Sequence, residues 1–307
     1  MRGSEVIRLS VFFDHILQAE EQTSKHIPEL LAEVKKAGIS AVEINRTYLL
    51  EHPATLEMLE TAGLQVSCIY EFYALERGRE TEKARRHIEI ARKTKAGKIL
   101  IVPGFFSVEA EEFVNCVPDR EKVWDYLSHS EKAQRMADGL REIVEMAGSR
   151  NIADTLITVV IEDFDDRNSP IACVSGMQWF AEQVPGLCFT FDTGNFIIHG
   201  EDIFAAWEEL KDKVVHVHCK DRKISSDKPL QTQKNATPDI KECYLPAAEG
   251  EGCIPIKELV YKMKEYGYRG YLAIEHFDAA DQEAYMQKSA ANLQEYCSQT
   301  GMEIYTK

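Results

Sequence analysis

Short apolar runs rich in β-branched residues alternate with stretches of helical period along the chain, eight times over. Such alternation predicts parallel strands covered by helices. The expected strands are Ile7–Phe12, Ala41–Ile44, Leu64–Tyr70, Lys98–Val102, Leu156–Ile161, Cys188–Phe191, Val214–His218 and Tyr271–Ile274. Each is short and almost continuously apolar, as a strand without a solvent face should be. Between them the period is that of a helix. Ile27, Leu30, Leu31 and Val34 make one stripe, and Met286, Ala290, Leu293 and Cys297 another. Glycine follows four of the helical stretches, at Gly38, Gly63, Gly97 and Gly267, where a left-handed cap carries no Cβ penalty.

No segment reads as an interdomain linker or as low complexity, so eight βα units in 307 residues predict one closed α/β barrel, a (β/α)8 TIM barrel over 1–307. An open doubly wound sheet is the alternative; it is weakened because no G-x-G-x-x-G follows the first strand. Two connections, near 103–127 and 223–253, exceed the ~2 to 6 residues of an ordinary βα loop. Both follow a strand. A barrel puts them on its C-terminal face, as lids or substrate-covering segments.

Charge narrows the choice of partner. With 36 basic and 51 acidic residues the chain carries a formal −15, which argues against nucleic acid, whose phosphates need clustered Lys and Arg. No apolar run approaches the ~18 residues of a membrane span, and Val6–Phe13 is interrupted by Arg8 and stopped by Asp14 and His15. A cytoplasmic protein with no membrane partner and no signal peptide is expected, and a homo-oligomer is compatible with the sequence. The eight cysteines form no CxxC pair and read as reduced, mostly packing thiols.

The chemistry gathers where strands end. Polar residues close four apolar runs, at Glu162, Asp192, His218 and Glu275. Side chains at the C-terminal ends of barrel strands converge on the mouth. Three carboxylates and one imidazole there suit a divalent metal, with Mn²⁺ preferred and Mg²⁺, Co²⁺ or Zn²⁺ as alternatives. Without a cation the three carboxylates would repel. Each acid taken singly could instead cap a helix or pair with a base; four in register favour the metal.

The strings Val159-Val-Ile-Glu162, Phe191-Asp-Thr-Gly-Asn195, His216-Val-His-Cys-Lys-Asp221, Gly250-Glu-Gly-Cys-Ile-Pro255 and Gly267-Tyr-Arg-Gly-Tyr-Leu-Ala-Ile-Glu275 resemble the xylose-isomerase-like barrel family. That family includes sugar and sugar-phosphate isomerases, 3-epimerases, inosose dehydratase and endonuclease IV. The resemblance implies that Glu162, Asp192, His218 and Glu275 hold one metal ion, and that Glu162 and Glu275 serve opposite faces of a bound sugar or sugar phosphate. Glu162 would take the proton next to a carbonyl, through a metal-stabilised enediolate, and Glu275 would return one to the other face. Return to the same carbon is epimerisation, delivery to its neighbour is isomerisation, and loss of a β-hydroxyl is dehydration. The implied activity is therefore an isomerase or 3-epimerase of carbohydrate metabolism; the alternative is an inosose or 3-dehydroshikimate dehydratase. A noncatalytic sugar-binding barrel is disfavoured by the convergent acids.

Departures and secondary candidates refine this. Many relatives have histidine three residues after the sixth-strand aspartate; here Asn195 stands there, so a substrate hydrogen bond survives and a metal ligand is in doubt. Arg222–Glu251 contains no histidine, against the zinc cluster of the endonuclease branch. His216 points to the same side as His218, as an interior histidine or a substrate contact. Lys220 is expected to neutralise developing negative charge or to pair with a mouth carboxylate. Glu43 and Glu71 could bind substrate hydroxyls or pair with Arg46 or a lysine. Phe277 and Phe13 are candidate apolar walls, with core packing as the default for both. Arg46, Arg167, Arg222 and Lys223 follow strand ends and could reach a phosphate. In the run Glu162–Asp166 only Glu162 is expected to face the mouth, the others being exposed, and Asp202 reads as a helix N-cap.

Overall fold

The computed structural model describes residues 6–106, 110–117, 119–148, 156–226 and 243–305. In chain order the elements begin β1 (Arg8–Phe12), α1 (Phe13–Gln22), α2 (Ile27–Lys36), β2 (Ala41–Asn45), α3 (Arg46–Glu51), α4 (Thr55–Thr61), β3 (Gln65–Phe72), α5 (Thr81–Thr94) and β4 (Lys98–Val102). There follow α6 (Ala110–Cys116), α7 (Arg120–His129), α8 (Glu131–Gly148), β5 (Thr158–Glu162), α9 (Val174–Gln183), β6 (Cys188–Asp192) and α10 (Ile203–Leu210). The last are β7 (Val214–Cys219), β8 (Asp221–Ile224), β9 (Tyr244–Ala247), α11 (Ile256–Tyr266), β10 (Tyr271–Ile274) and α12 (Gln282–Thr300). Eight strands close into a parallel barrel in the order β1-β10-β7-β6-β5-β4-β3-β2, while β8 and β9 form a separate two-stranded sheet.

All eight expected strands are present, shifted by at most two residues at either end. Their apolar runs predict them well because both faces are covered: β1 and β5 to β7 are buried at nearly every position. Gly38 and Gly267 take the expected left-handed conformation, with φ of 84° and 82°. The connection after β4 is no loop. The chain there forms α6 and α7, with Phe113 of the first buried, and Val123 and Leu127 of the second buried one helical turn apart. The expected lid near 223–253 is in part the β8–β9 hairpin, whose Asp221 is opposite Ala247. Residues 227–242 of that segment lie outside the described residues.

The chain forms two compact units. The first comprises Met1–Glu43, Ala54–Gln65 and His216–Lys307. Within it β1 pairs with β10, and β10 with β7, placing Ala273 opposite His218. The stripe Met286, Ala290, Leu293 and Cys297 of α12 is buried as its spacing requires. The second unit comprises Ile44–Pro53 and Val66–Val215. There β4 pairs with β5 and β5 with β6, placing Glu162 opposite Thr190. Cys68, Leu100, Val102 and Val160 form a core cluster in this unit. No described helix is long and apolar enough to cross a membrane, and all eight cysteines are free.

Candidate metal centre

Strand register decides which side chains share a face. In the first unit His218 lies opposite Ala273, so Glu275, two residues beyond, is one same-face step along the chain. The histidine Nδ1 faces Glu275 Oε2 at 3.1 Å, and Lys220 Nζ is 2.5 Å from Glu275 Oε1. Burial alone would raise the Glu275 carboxyl. Lys220 and His218 outweigh it and hold the group well below the ordinary carboxylate range. In the second unit Glu162 lies opposite Thr190, and Asp192 is one same-face step beyond that threonine. Asp192 is fully buried and its Oδ1 accepts the backbone N–H of Gly194 at 2.7 Å. Each unit thus brings two of the four expected ligands together: His218 beside Glu275 in the first, and Glu162 one same-face step from Asp192 in the second.

The secondary candidates are placed as follows. Glu43 is fully buried, and its Oε2 accepts from His216 Nε2 at 2.8 Å and His218 Nε2 at 3.1 Å. Burial would raise its carboxyl, yet the two imidazoles keep it well below the ordinary value. Arg46, expected as a partner for one of the two glutamates, pairs with Glu71 at 3.0 Å, and Thr47 Oγ1 donates to the same oxygen at 2.6 Å. Asn195 is buried and donates through Nδ2 to the backbone oxygen of Asp163 at 2.8 Å. Phe277 is half-buried against Phe12 and His15, with ring centroids 5.4 and 4.7 Å apart.

One expectation is corrected, and one choice is decided for its default. Phe13 opens α1 and is packed inside, as core packing requires; its neighbour Phe12 is the ring against His218, edge-on at 4.9 Å. Adjacent residues point to opposite sides, so a one-residue difference exchanges wall for core. Asp163 is not an exposed member of an acidic run. It is fully buried, and its Oδ1 accepts the backbone N–H of Asp192 at 2.9 Å. Burial first, then the neighbouring Asp192 carboxylate, push its carboxyl well up. The N-cap at Asp202 is as expected, accepting from Phe204 and Ala205 N–H at 3.0 and 2.9 Å.

A histidine pair escaped the sequence reading. His15 on α1 and His276 after β10 stack with centroids 4.5 Å apart, and the backbone N–H of His276 donates to His15 Nε2 at 2.9 Å. Burial lowers both, His276 to about 4. The one available signal was the dipeptide Glu275-His276, which periodicity assigns to opposite faces.

A family model described as xylose isomerase-like TIM barrel matches residues 31–296. An inosose dehydratase from Lacticaseibacillus casei is 28% identical over 86 residues, which is 28% of this chain and 28% of the relative. The chain thus aligns with little more than a quarter of that protein's length. Among solved structures, an L-ribulose 3-epimerase superposes with a TM-score of 0.66 at 16% identity, covering 96% of each chain. A probable 3-DHS dehydratase, AsbF, from Bacillus anthracis gives 0.67 at 15% identity, covering 94% of this chain and 98% of that one. At such identities the superpositions carry the fold alone.

Proposed function

The chain belongs to the xylose isomerase-like TIM barrel family, and on that premise we propose that it is a divalent-metal-dependent sugar or sugar-phosphate isomerase or 3-epimerase. The observation that carries this reading is that each unit brings two of the four expected ligands to one strand-end face: His218 Nδ1 is 3.1 Å from Glu275 Oε2, and Glu162, opposite Thr190, is one same-face step from Asp192. The donor set suits the group it would hold. Asp192, His218 and Glu275 are nearly or fully buried, and carboxylates gathered in a low-dielectric site are costly unless a cation lies among them. Oxygen donors with one imidazole favour Mn²⁺, with Mg²⁺, Co²⁺ or Zn²⁺ as alternatives.

When bound, a divalent ion there supplies electrophilic stabilisation for negative charge developing on a substrate oxygen. The remaining work belongs to side chains. Glu275, held ionised by Lys220 and His218, takes here the part expected of Glu162 and accepts the proton from the carbon next to a carbonyl. Glu162, on β5, returns a proton to the opposite face, and the roles exchange when the reaction runs backward. Lys220 compensates negative charge as it moves from the carboxylate toward the substrate. Phe12 and Phe277 offer apolar ring surface to the carbon face of a sugar.

Dehydration begins with the same proton abstraction and then expels a β-hydroxyl; the inosose dehydratase likeness favours that second reading. Ketohexoses, their phosphates and inososes, offered with Mn²⁺, separate the two. Changing optical rotation with a constant ultraviolet spectrum supports epimerisation, whereas a rising enone or dione absorbance supports dehydration. No turnover of any of them would count against both. A cytoplasmic setting and a homo-oligomer belong to the same proposal.

A further inference from the structure

Four aromatic rings gather at one strand-end face of the second unit. Tyr70 and Phe72 close β3, Phe105 follows β4 and Phe164 follows β5. Phe164 stands edge-on to Phe72 and Phe105, with ring centroids 6.0 and 5.5 Å away, and Tyr70 is edge-on to Phe72 at 6.4 Å. Strand register sets these rings beside Glu162. Phe72 pairs with Val102, and Leu100 with Val160, so Phe72, Val102 and Glu162 share one face of the sheet at one level. That face carries the core cluster of Cys68, Leu100, Val102 and Val160, against which Tyr70, Phe105 and Phe164 pack. Phe72 is nonetheless 44% exposed, which leaves ring surface open next to the proposed acid–base group.

The face of an aromatic ring carries partial negative charge and favours C–H groups polarised by neighbouring oxygens. A phosphate set against it would be repelled and would lose its water without compensation. The bases flanking the rings are committed elsewhere: Arg46 to Glu71 at 3.0 Å and Lys83 to Glu80 at 3.5 Å. Arg167 lines a separate cavity with Cys173 and His199. Asp165 and Asp166, directly after Phe164, add further negative charge.

Resting on the proton-abstraction reading above, we infer that these rings form a specificity platform for an uncharged cyclic ketone, a polyol or glycoside whose carbonyl lies inside a six-membered ring. Such a ring is rigid and presents its C–H groups together on a flat face, which lies on Phe72 and Phe164. An open chain must first be ordered to do the same, at a cost in rotamer freedom. The carbonyl inside the ring leaves an adjacent C–H for Glu162 or Glu275.

The test is calorimetric titration of the intact chain, with Mg²⁺ present, against 2-keto-myo-inositol, methyl 3-keto-β-D-glucopyranoside and fructose 6-phosphate. Both cyclic ketones should bind at least about 10-fold more tightly than the phosphate, and Phe72→Ala and Phe164→Ala should each weaken them about 3 to 10-fold. Phe72→Tyr keeps the ring and should keep the affinity. Saturating aromatic protons in magnetic resonance should transfer to the ring C–H protons of the bound ketone, and less so in Phe72→Ala. Tighter binding of the phosphate, no binding of either ketone, or unchanged affinity in Phe72→Ala overturns the inference. Should Phe164→Ala not fold, the two variants of the exposed Phe72 decide. Ketones bound through Phe72 but never turned over with Mn²⁺ sink the isomerase and dehydratase readings and leave the platform standing. Turnover of fructose 6-phosphate at the same rate in Phe72→Ala does the reverse.

Discussion

Glu162 and Glu275 have two assignments each, ligand and acid or base, and an amide at either position separates them. Glu162→Gln and Glu275→Gln keep an oxygen donor and lose the base, so each should retain part of its metal while turnover falls by about 10² to 10⁴-fold. Steady-state rates beside elemental analysis check this; normal activity in both variants would remove the assignment. Asp192→Ala should lower metal content after dialysis, because an anionic donor is gone, and full occupancy in that variant would show that Asp192 is no ligand. Those four positions were legible in the sequence because each follows an apolar strand. Asp163 and the His15–His276 pair were not. Beyond a strand end the alternation of faces no longer says where a side chain points, and a buried partner such as the Asp192 N–H at 2.9 Å is supplied by another strand.

Elements are held by buried polar groups as much as by apolar stripes. At the base of the β8–β9 hairpin, Asp221 accepts four backbone N–H groups: those of Arg222, Gly250 and Gly252 at 2.8 Å each and of Ile254 at 3.1 Å. Asp221→Asn turns an amide donor toward some of these donors, so the expected loss is about 2 to 4 kcal/mol. Hydrogen exchange should quicken at Gly250 and Gly252 first; unchanged protection there would contradict this role. Glu201 caps α9 from outside, accepting the Val174 N–H at 3.2 and 3.1 Å, and burial pushes its carboxyl up to about 7. A raised folded-state value means that its contribution is fully present below the ordinary carboxylate pKa and is lost as pH rises through about 7. Glu201→Gln keeps an acceptor without the titration. It should therefore gain on the wild type by about 1 to 3 kcal/mol between pH 5 and pH 8, measured by denaturant unfolding. A constant difference across that range would contradict the account. The strands were legible because continuous apolar runs have no other use in this pattern, whereas α6 and α7 lie in a connection whose helices the sequence does not signal: Pro118 divides the apolar positions around Phe113 and Val123, and a period broken so early cannot be followed.

At the scale of the whole molecule, counting βα units was enough to predict a closed barrel, because eight doubly covered strands have few other ways to bury both faces. The charge of −15 agrees with a small-molecule substrate and opposes a phosphate backbone as partner. What counting cannot give is the sugar, because stereochemistry depends on side chains around the mouth whose positions follow no period. The central claim is proton abstraction by a glutamate in a metal-dependent site, and solvent isotope uptake tests it most directly. In deuterated water the Mn²⁺-loaded wild type, given a ketose that it turns over, should place one solvent deuterium on the carbon next to the carbonyl, detected by mass spectrometry and proton resonance. The same chain stripped of metal should place none. Product formed at the normal rate without deuterium, or equal uptake with and without the metal, would contradict the account.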